Sequence, residues 1–356
     1  MNESKILIHN IFHMLCYAFH ILRQSNFEDI QSEEFNHVED LLAAILSKGI
    51  SAQLKKGLTK TYIEHRDQMK TLRGKLHAYE TKKMRIIKKQ QVDCSFDELS
   101  EDNELNQIIK TTAQKLVVCP EVSLKYRKAL RKELMFFNTV SDIDISSVKW
   151  GRLQYHRNNK SYELLMNICY YVWQSLLPSK APGKKKFTLF EEEGLPRLYE
   201  KFILEYYRQH FPMLRANDSA IRWDLPEDLT PYSVAQLPGM HSDIMLRYGS
   251  KTLIIDAKFY KKSLADFMEK RMLVSNNIYQ IYAYVKNEDK KHTGNVSGML
   301  LYAKTTEEIL PSLSVPIGGN LISARSLDLN REFGEISYAL DEIVRTTFGE
   351  GLVRVA

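Results

Sequence analysis

Apolar residues recur at helical spacing through most of this chain. Near its start, Ile8, Phe12 and Leu15 would share one helix face. The same spacing predicts helices at about residues 5–23, 38–46, 103–118, 121–137, 161–177, 196–210, 267–285 and 334–347. Short β-rich runs predict strands at 59–64, 219–223 and 296–302, with a turn at 66–68.

The clearest strand pattern is a hairpin around the Gly-Ser pair at 249–250. Apolar-rich runs flank this pair on both sides, which is typical of two strands joined by a two-residue turn. Counting back from the turn places Asp243 opposite Asp256, with their Cβ atoms about 5 Å apart on one face of the sheet. Lys258 follows two residues after Asp256 and therefore shares that face.

The order of elements in the second half predicts a layered domain. Helix, three strands, helix and strand follow one another there, which indicates a mixed sheet with helices on its faces and an α/β (α+β mixed-sheet) fold class. A polar connection at 140–148 places the domain boundary near residue 155. The predicted domains are 1–155, with helices and short strands, and 156–356, with the mixed sheet. A Pro- and Gly-containing linker is predicted at 178–183.

The composition favours a soluble globular protein. The 356 residues are 44% hydrophobic and 26% charged, as in ordinary folded domains. No run approaches the roughly 20 apolar residues of a membrane span, and the start lacks the features of a signal peptide. We therefore expect cytoplasmic residence and no membrane association. The four cysteines are far apart in sequence, which predicts buried free thiols and argues against a zinc site or disulfides.

Positive charge is concentrated in one segment. The net charge is +6, and residues 51–90 contain twelve Lys or Arg against three acids. Its densest part, residues 82–89, would contact phosphates or an acidic partner surface. A solvated face of an ordinary domain explains the same composition equally well. The cluster alone does not decide between these interpretations.

Asp243, Asp256 and Lys258 are the main candidate catalytic residues. Two carboxylates held this close repel each other unless a cation lies between them, and Mg²⁺ prefers such oxygen ligands. A bound metal ion polarises a phosphate and lowers the pKa of a bound water. Lys258 would orient that water or stabilise charge developing on the phosphate. The arrangement predicts a metal-dependent phosphodiester nuclease, with one or two Mg²⁺ ions.

Two helices supply further candidates. Glu200 would reach the metal directly or through water, while Gln280 and Tyr284 share a helix face and the amide would hydrogen-bond the site or a nucleotide. Each has an ordinary alternative: a solvated glutamate, a surface amide or a packed tyrosine. Asp-x-Lys triplets are also often solvated strand ends. The apolar run before Asp256 favours a buried strand, where an unpaired carboxylate is costly.

These residues resemble a nuclease superfamily. Asp243 and the triplet Asp256-Ala257-Lys258 resemble the PD-(D/E)xK motif, with Glu200 upstream and Gln280 downstream. Ser242 stands where the name of the superfamily expects proline, at a position that varies among its members. Longer blocks resemble McrC, the nuclease subunit of the McrBC modified-cytosine restriction system. In order along the chain they are 10–19, 96–102, 106–110, 198–202, 256–261 and 277–280.

The resemblance implies a function and a division of labour. McrC-like proteins pair with McrB-like AAA+ GTPases that recognise modified cytosine in double-stranded DNA and translocate on it. By this resemblance, residues 1–155 dock on the GTPase ring, partly through 51–90, and stimulate GTP hydrolysis. Residues 156–356 then form a PD-(D/E)xK restriction-endonuclease-like core that cuts DNA. The implied catalytic residues are Asp243, Asp256, Lys258 and Gln280, and the implied metal ligands are Asp243, Asp256 and Glu200.

Two other functions remain compatible with the sequence. One is a catalytically silent GTPase activator or scaffold, which the intact Asp243, Asp256 and Lys258 disfavour. The other is a stand-alone nuclease of DNA repair or recombination. A neighbouring gene for an AAA+ GTPase would distinguish the restriction subunit from this last alternative.

Overall fold

The chain divides into two compact units. The computed structural model describes residues 5–20, 30, 33–157, 159–176, 194–226, 235–259, 264–267, 270–304 and 311–355. One unit, here called the sheet unit, combines Met1–Val38 with Gln174–Ala356. The other, here called the inserted unit, is the intervening segment Glu39–Trp173. The predicted linker at 178–183 lies outside the described residues.

Helices and strands are numbered along the chain. The helices are α1 (Lys5–Ala18), α2 (Val38–Lys56), α3 (Ala78–Ile86), α4 (Glu104–Val117), α5 (Leu124–Leu134), α6 (Ser161–Leu176), α7 (Leu195–His210), α8 (Ser275–Glu288) and α9 (Phe333–Phe348). The strands are β1 (Thr61–Met69), β2 (Lys75–Leu76), β3 (Val92–Ser100), β4 (Asn217–Ile221), β5 (Met240–Tyr248), β6 (Lys251–Phe259), β7 (Leu264–Phe267), β8 (Lys270–Leu273), β9 (Val296–Lys304), β10 (Leu313–Ile317) and β11 (Asn320–Asp328).

The sheet unit is built on a six-stranded mixed sheet. Its strand order is β10-β11-β9-β6-β5-β4. Strand β9 runs parallel to both β6 and β11, while β5 is antiparallel to β6 and to β4. Helices α7 and α8 both contact β6. The predicted α/β fold class with a mixed sheet is confirmed.

Alternate residues of β6 face two different layers. Ile254 packs in a core cluster with Ile281 and Val285 of α8. Phe259, of opposite parity, lies against Tyr199 of α7, with ring centroids 6.0 Å apart. Because side chains alternate along a strand, the even-numbered residues of β6 face α8. The strand is therefore covered on both faces, which explains its nearly continuous apolar sequence.

The first helix belongs to the sheet unit. Tyr17 of α1 lies against Phe202 of α7, with ring centroids 5.5 Å apart, and its hydroxyl lies 2.9 Å from His210 Nε2. Asn10 Nδ2 donates to the carbonyl oxygens of Leu329 and Arg331, each at 2.8 Å. The two Asn10 contacts span 319 and 321 positions of the sequence. Apolar periodicity predicts α1 but gives no sign of its partners.

The structural division therefore differs from the predicted one of 1–155 and 156–356. Residues 1–38 join the C-terminal segment, and most of α6 belongs to the inserted unit. Within that unit Trp173 Nε1 donates to Thr112 Oγ1 at 2.8 Å, and the Tyr162 hydroxyl donates to Asn106 Oδ1 at 2.8 Å. These polar contacts hold α6 against α4, so the boundary falls in the last turn of α6 and not before the helix.

The inserted unit combines helices with a small antiparallel sheet of order β1-β3-β2. Helix α4 begins after Asn103, whose side chain accepts a hydrogen bond from Asn106 N, as expected of an N-cap. The predicted turn at 66–68 is instead part of β1, and the polar segment after Asp93 is part of β3. Much of the antiparallel pair β1 and β3, here called the ribbon, is exposed. Its strands therefore lack the apolar alternation by which a strand is predicted.

The bounds of two helices also differ from the prediction, and one glycine pair forms a turn. Helix α2 continues ten residues beyond its predicted end at residue 46, and its Gly49 lies against Leu165 of α6. Helix α8 begins at Ser275, because β7 and β8 occupy the start of the predicted 267–285 helix. The pair Gly318-Gly319 forms the turn between β10 and β11, with φ of 59° and 88°. Such values suit a two-residue hairpin turn and strongly favour glycine.

The prediction for the cysteines has a structural counterpart. Cys16, Cys94, Cys119 and Cys169 are all buried and unpaired, as predicted. Within the ranges that the structure describes, no helix combines the length and apolar character needed to cross a membrane.

Candidate functional site

The predicted hairpin is confirmed and carries the candidate site. Strands β5 and β6 pair from Tyr248 opposite Lys251 to Ile244 opposite Ile255. Gly249 has φ of 56°, which suits a tight turn. Asp243 follows directly on the last of these pairs and lies beside Asp256, as the sequence predicts.

Asp243 is held against the next strand by a backbone donor. Its Oδ2 accepts a hydrogen bond from Ala257 N at 2.8 Å, and its carboxyl also hydrogen-bonds with that of Asp256. Burial and the negative charges of Asp256 and Glu200 raise the pKa of Asp243 to about 8, against the lowering effect of the Ala257 N–H. At neutral pH and without a cation, Asp243 therefore carries a proton within the acid pair.

Asp256 is the most deeply buried member of the site, with 2% of its surface exposed. Its Oδ2 lies 2.8 Å from Lys258 Nζ. The same oxygen accepts no well-oriented hydrogen bond from the described residues, so the ion pair is its polar contact there. A buried carboxylate oxygen with unused lone pairs is suited to bind a cation.

Lys258 is oriented by α8. Its Nζ donates to Gln280 Oε1 at 3.1 Å, and Gln280 Nε2 donates in turn to the Tyr284 hydroxyl at 2.9 Å. With the Gln280 amide nitrogen engaged by Tyr284, its oxygen faces the ammonium group. One turn earlier, Asn277 Nδ2 donates to the Tyr302 hydroxyl at 3.1 Å and ties α8 to β9. The predicted grouping of Lys258 with Gln280 and Tyr284 is thus present in the structure.

Glu200 lies within electrostatic reach of the pair but does not join it in a compact cluster. Burial raises the pKa of Glu200; Lys258 lowers it, Asp256 raises it and Arg197 lowers it. Among the described residues, no three His, Cys, Asp or Glu side chains converge closely enough to hold a metal ion. The role of Glu200 as a third ligand therefore stays a prediction.

The donor set fits Mg²⁺ nonetheless. This ion retains several waters and is often bound by one or two carboxylates together with substrate phosphates. Asp243 and Asp256 supply two carboxylates, and a cation that replaces their shared proton would relieve the repulsion that raises the pKa of Asp243. The hydrogen bond from Ala257 and the ion pair with Lys258 limit the movement of both groups.

Some contributions to the site were not predicted from the sequence. The Ala257 N–H orients Asp243, and the Tyr302 hydroxyl orients Asn277. Ala257 lies between Asp256 and Lys258, and Tyr302 pairs with Lys258 across β6 and β9. Tyr302 could not be identified without the register of β6 against β9. His241 of β5 is exposed and pairs with Ala220 of β4.

The sequence matches a known protein family over most of its length. Residues 2–303 match the family described as McrBC 5-methylcytosine restriction system component. The chain is also 26% identical, over 304 residues, to the Escherichia coli K12 protein described as type IV methyl-directed restriction enzyme EcoKMcrBC. That similarity covers 85% of this chain and 87% of the relative.

A solved structure shows a related fold. It is the refined half-complex from the tetradecameric assembly of Thermococcus gammatolerans McrB AAA+ hexamers with bound McrC. The matched chain has a TM-score of 0.50 at 17% identity, with 94% of this chain and 76% of that one covered. The resemblance drawn from the sequence blocks is confirmed, and the protein is an McrC-like member of the McrBC 5-methylcytosine restriction system component family.

Proposed function

We propose that this protein is the Mg²⁺-dependent DNA endonuclease subunit of a GTP-dependent restriction complex. The observation that carries the proposal is the buried acid pair of Asp243 and Asp256 beside Lys258. Structural ion pairs are usually satisfied by one acid and one base. A second acid, close enough to require a proton at neutral pH, is costly to retain unless a cation binds there.

Each residue has a defined task in the proposed reaction. Asp243 and Asp256 would hold Mg²⁺, which supplies a polarised phosphate and a more acidic bound water. Lys258 would stabilise negative charge on the phosphate, and Gln280 would fix the direction of its ammonium group. Burial of Asp256 excludes bulk water around it, so these charges interact more strongly than they would at the surface.

Partner and substrate follow from the relatives. The Thermococcus structure contains McrB AAA+ hexamers with bound McrC, and the Escherichia coli relative is described as methyl-directed. We extend both properties to this chain as an McrB-like GTPase partner, whose activity it stimulates, and double-stranded DNA with modified cytosine. The sequence has no Gly-x-x-x-x-Gly-Lys-Ser/Thr phosphate loop, which is consistent with GTP hydrolysis by the partner.

Asp256→Asn tests the proposal, assayed with the cognate GTPase on methylated and unmethylated plasmid, with GTP and Mg²⁺. The substitution keeps the size of the side chain but removes its charge, so cleavage should be abolished while stimulation of GTP hydrolysis persists. Asp328→Asn is the matched control, because Asp328 also lies 2.8 Å from a lysine, Lys304, but outside the acid pair. It should cleave like the unmodified protein.

The remaining outcomes separate the alternatives. Cleavage by Asp256→Asn at the normal rate would show that the acid pair is not the catalytic site. Stimulation of the GTPase without cleavage by the unmodified protein would identify a silent activator. Efficient cleavage without partner and GTP would identify a stand-alone nuclease.

A further inference from the structure

A second concentration of charge lies in the inserted unit, away from the acid pair in sequence. An open pocket of about 460 Å³ is lined by Lys70, Arg85, Lys88, Lys89, Gln90, Gln91 and Val92. Four of these seven residues are cationic, two carry amide groups and none is acidic. The volume is in the range of ordinary ligand pockets, which are usually lined by apolar side chains. This lining instead suits a strongly anionic ligand.

The backbone brings these cations together from separate elements. Strand β1 ends where Met69 pairs with Val92 of β3, so Lys70 extends beside the start of β3. The chain reverses after α3, where Lys88 has φ of 59° and Lys89 N donates to Met84 O at 2.9 Å. The reversal places Lys88 and Lys89 at the same pocket as Arg85. The convergence is thus a product of the fold and not only of a basic sequence.

The nearby acids are engaged elsewhere. Asp93, the residue after the pocket-lining Val92, lies 2.7 Å from Arg66 Nε through its Oδ1. Glu80 lies 3.5 Å from Lys83, on the outer part of α3. Across the described residues, none of the four pocket cations forms an ion pair. Their charges therefore act together on whatever enters the pocket.

Only part of the basic segment 82–89 lines the pocket. Lys88 and Lys89 line the pocket, whereas Lys82 and Lys83 do not. The Lys83 ammonium lies over the Tyr79 ring, 4.2 Å from its centroid. Two pairs of adjacent lysines, close in sequence and equal in charge, thus differ in whether they face the pocket.

We infer that this pocket binds the phosphodiester backbone of duplex DNA and gives the protein a DNA contact outside its nuclease core. The inference rests on the proposed function, since a DNA substrate is assumed. A phosphate backbone fits because it offers closely spaced anionic groups to a fork-shaped guanidinium, to ammonium groups and to amide donors at once. Such contacts are independent of base sequence, as expected where a partner reads the modified base.

The test compares Lys88→Gln/Lys89→Gln with Lys82→Gln/Lys83→Gln in the full-length protein. Glutamine removes the charge but keeps a flexible unbranched side chain, including at the left-handed backbone of Lys88. Binding of a fluorescently labelled DNA duplex is measured by anisotropy over a series of salt concentrations, without Mg²⁺ so that no cleavage occurs. Circular dichroism and the melting temperature establish that all proteins are folded.

The pocket variant should lose about tenfold in affinity at low salt, and its salt dependence should fall by about two ionic contacts. The control pair should change affinity by less than about twofold, as expected for solvated charges. Equal losses of DNA affinity in the two double variants would overturn the inference, because only the overall charge of the protein would then determine binding. Failure of the unmodified protein to bind duplex would overturn it as well.

Competition identifies the source of the phosphate. Unlabelled duplex should displace the labelled duplex from the unmodified protein, whereas inorganic phosphate and GTP at equal phosphate concentration should not. Displacement by GTP would assign the pocket to a nucleotide instead. Unchanged DNA binding with lost GTPase stimulation would assign it to an acidic protein surface. Plasmid cleavage by the unmodified complex is measured separately. The proposed nuclease function and the proposed DNA-binding pocket can therefore be rejected independently of each other.

Discussion

Two antiparallel strand pairs of equal length differ in how far they are buried in this protein. Strands β5 and β6 have nine residues each, as do β1 and β3. The first pair lies within the six-stranded sheet and is mostly buried, whereas much of the second pair is exposed. Both pairs carry opposed charged groups. The environment of the strands, and not their pairing, determines what those charges can do.

In the buried pair, β5 and β6, burial shifts the pKa of a carboxyl group. Removal from water and the neighbouring acids raise the pKa of Asp243 to about 8, so its ionisation falls near the working pH. In the exposed pair, the hydrogen bond to Asp93 raises the already high pKa of Arg66, which stays protonated. The exposed ribbon therefore offers fixed charge for contact, while the proposed site in the buried hairpin would exchange a proton for a cation.

The largest effect in the buried region is expected from Lys258→Met. The ammonium group lies 2.8 Å from Asp256 and would stabilise charge on the phosphate, so cleavage should fall by about 10²–10³-fold. Lys304→Met is the control, since Lys304 makes an ion pair of the same length with Asp328. Plasmid cleavage rates of the two variants provide the comparison, and similar rates for both would remove Lys258 from the site.

A second contrast uses one added methyl group in each region. A Cβ at Gly298 would lie 2.7 Å from side-chain carbons of Ile281 and Val285, which would push α8 and its Gln280 away from the sheet. A Cβ at Gly74, where φ is 69°, would collide with the Ser95 carbonyl oxygen of β3. Both alanine variants should lose about 1–3 kcal/mol of stability in denaturant unfolding.

Only Gly298→Ala should also slow cleavage, because α8 carries the acceptor for Lys258. Cleavage assays below the unfolding temperature of both variants distinguish the two. Equal cleavage by Gly298→Ala and Gly74→Ala would mean that α8 does not need its close contact with β9 to position Gln280.

The acid pair also predicts how pH and Mg²⁺ affect stability. The pKa of Asp243 is about 8 in the folded chain and about 4 when unfolded. The folded state therefore binds this proton more tightly, so the stabilisation is fully present below about pH 4, the unfolded pKa, and is lost as pH rises from there through the folded pKa of about 8. Mg²⁺ at about ten times its Kd should restore about 1.4 kcal/mol, most clearly above pH 8.

Thermal melts with EDTA or Mg²⁺ at several pH values measure this effect. In Asp243→Asn the neutral amide has no charge to lose, so both the pH dependence near 8 and the Mg²⁺ stabilisation should shrink. A melting temperature that responds to Mg²⁺ equally in both proteins would place the ion elsewhere.

The smallest effect on stability is expected from a substitution on α3, in the inserted unit that contains the exposed ribbon. Lys83 and Glu80 form an ion pair of 3.5 Å on α3, with both side chains well exposed. Lys83→Ala should therefore change the free energy of unfolding by no more than about 0.5 kcal/mol. A loss several times larger in urea unfolding would show that charge on this helix is structural.

The sequence predicted the core of the site because its two strands are joined locally. A two-residue turn fixes which residues face each other, so the strand pattern alone is enough to group Asp243, Asp256 and Lys258. Gln280 and Tyr284 were predicted from helical spacing and the family resemblance. The contact of Ala257 with Asp243 was not predicted, although both residues lie in the hairpin. The order of β9, β10 and β11 was not predicted, because it depends on packing between distant segments. The second half of β1, where a turn was predicted, and the whole of β3 were missed for lack of apolar alternation.

The packing of α1 has a consequence during synthesis. Asn10 Nδ2 donates to the carbonyl oxygen of Leu329, 319 residues later, so α1 cannot complete its packing until that distant segment has been synthesised. The inserted unit, Glu39–Trp173, emerges complete in the meantime and can fold first. A fragment that starts at residue 156 would leave Phe202 and Tyr206 without their Tyr17 neighbour. Such a fragment is expected to aggregate, and weak cleavage by it would reflect incomplete folding and not an absent partner.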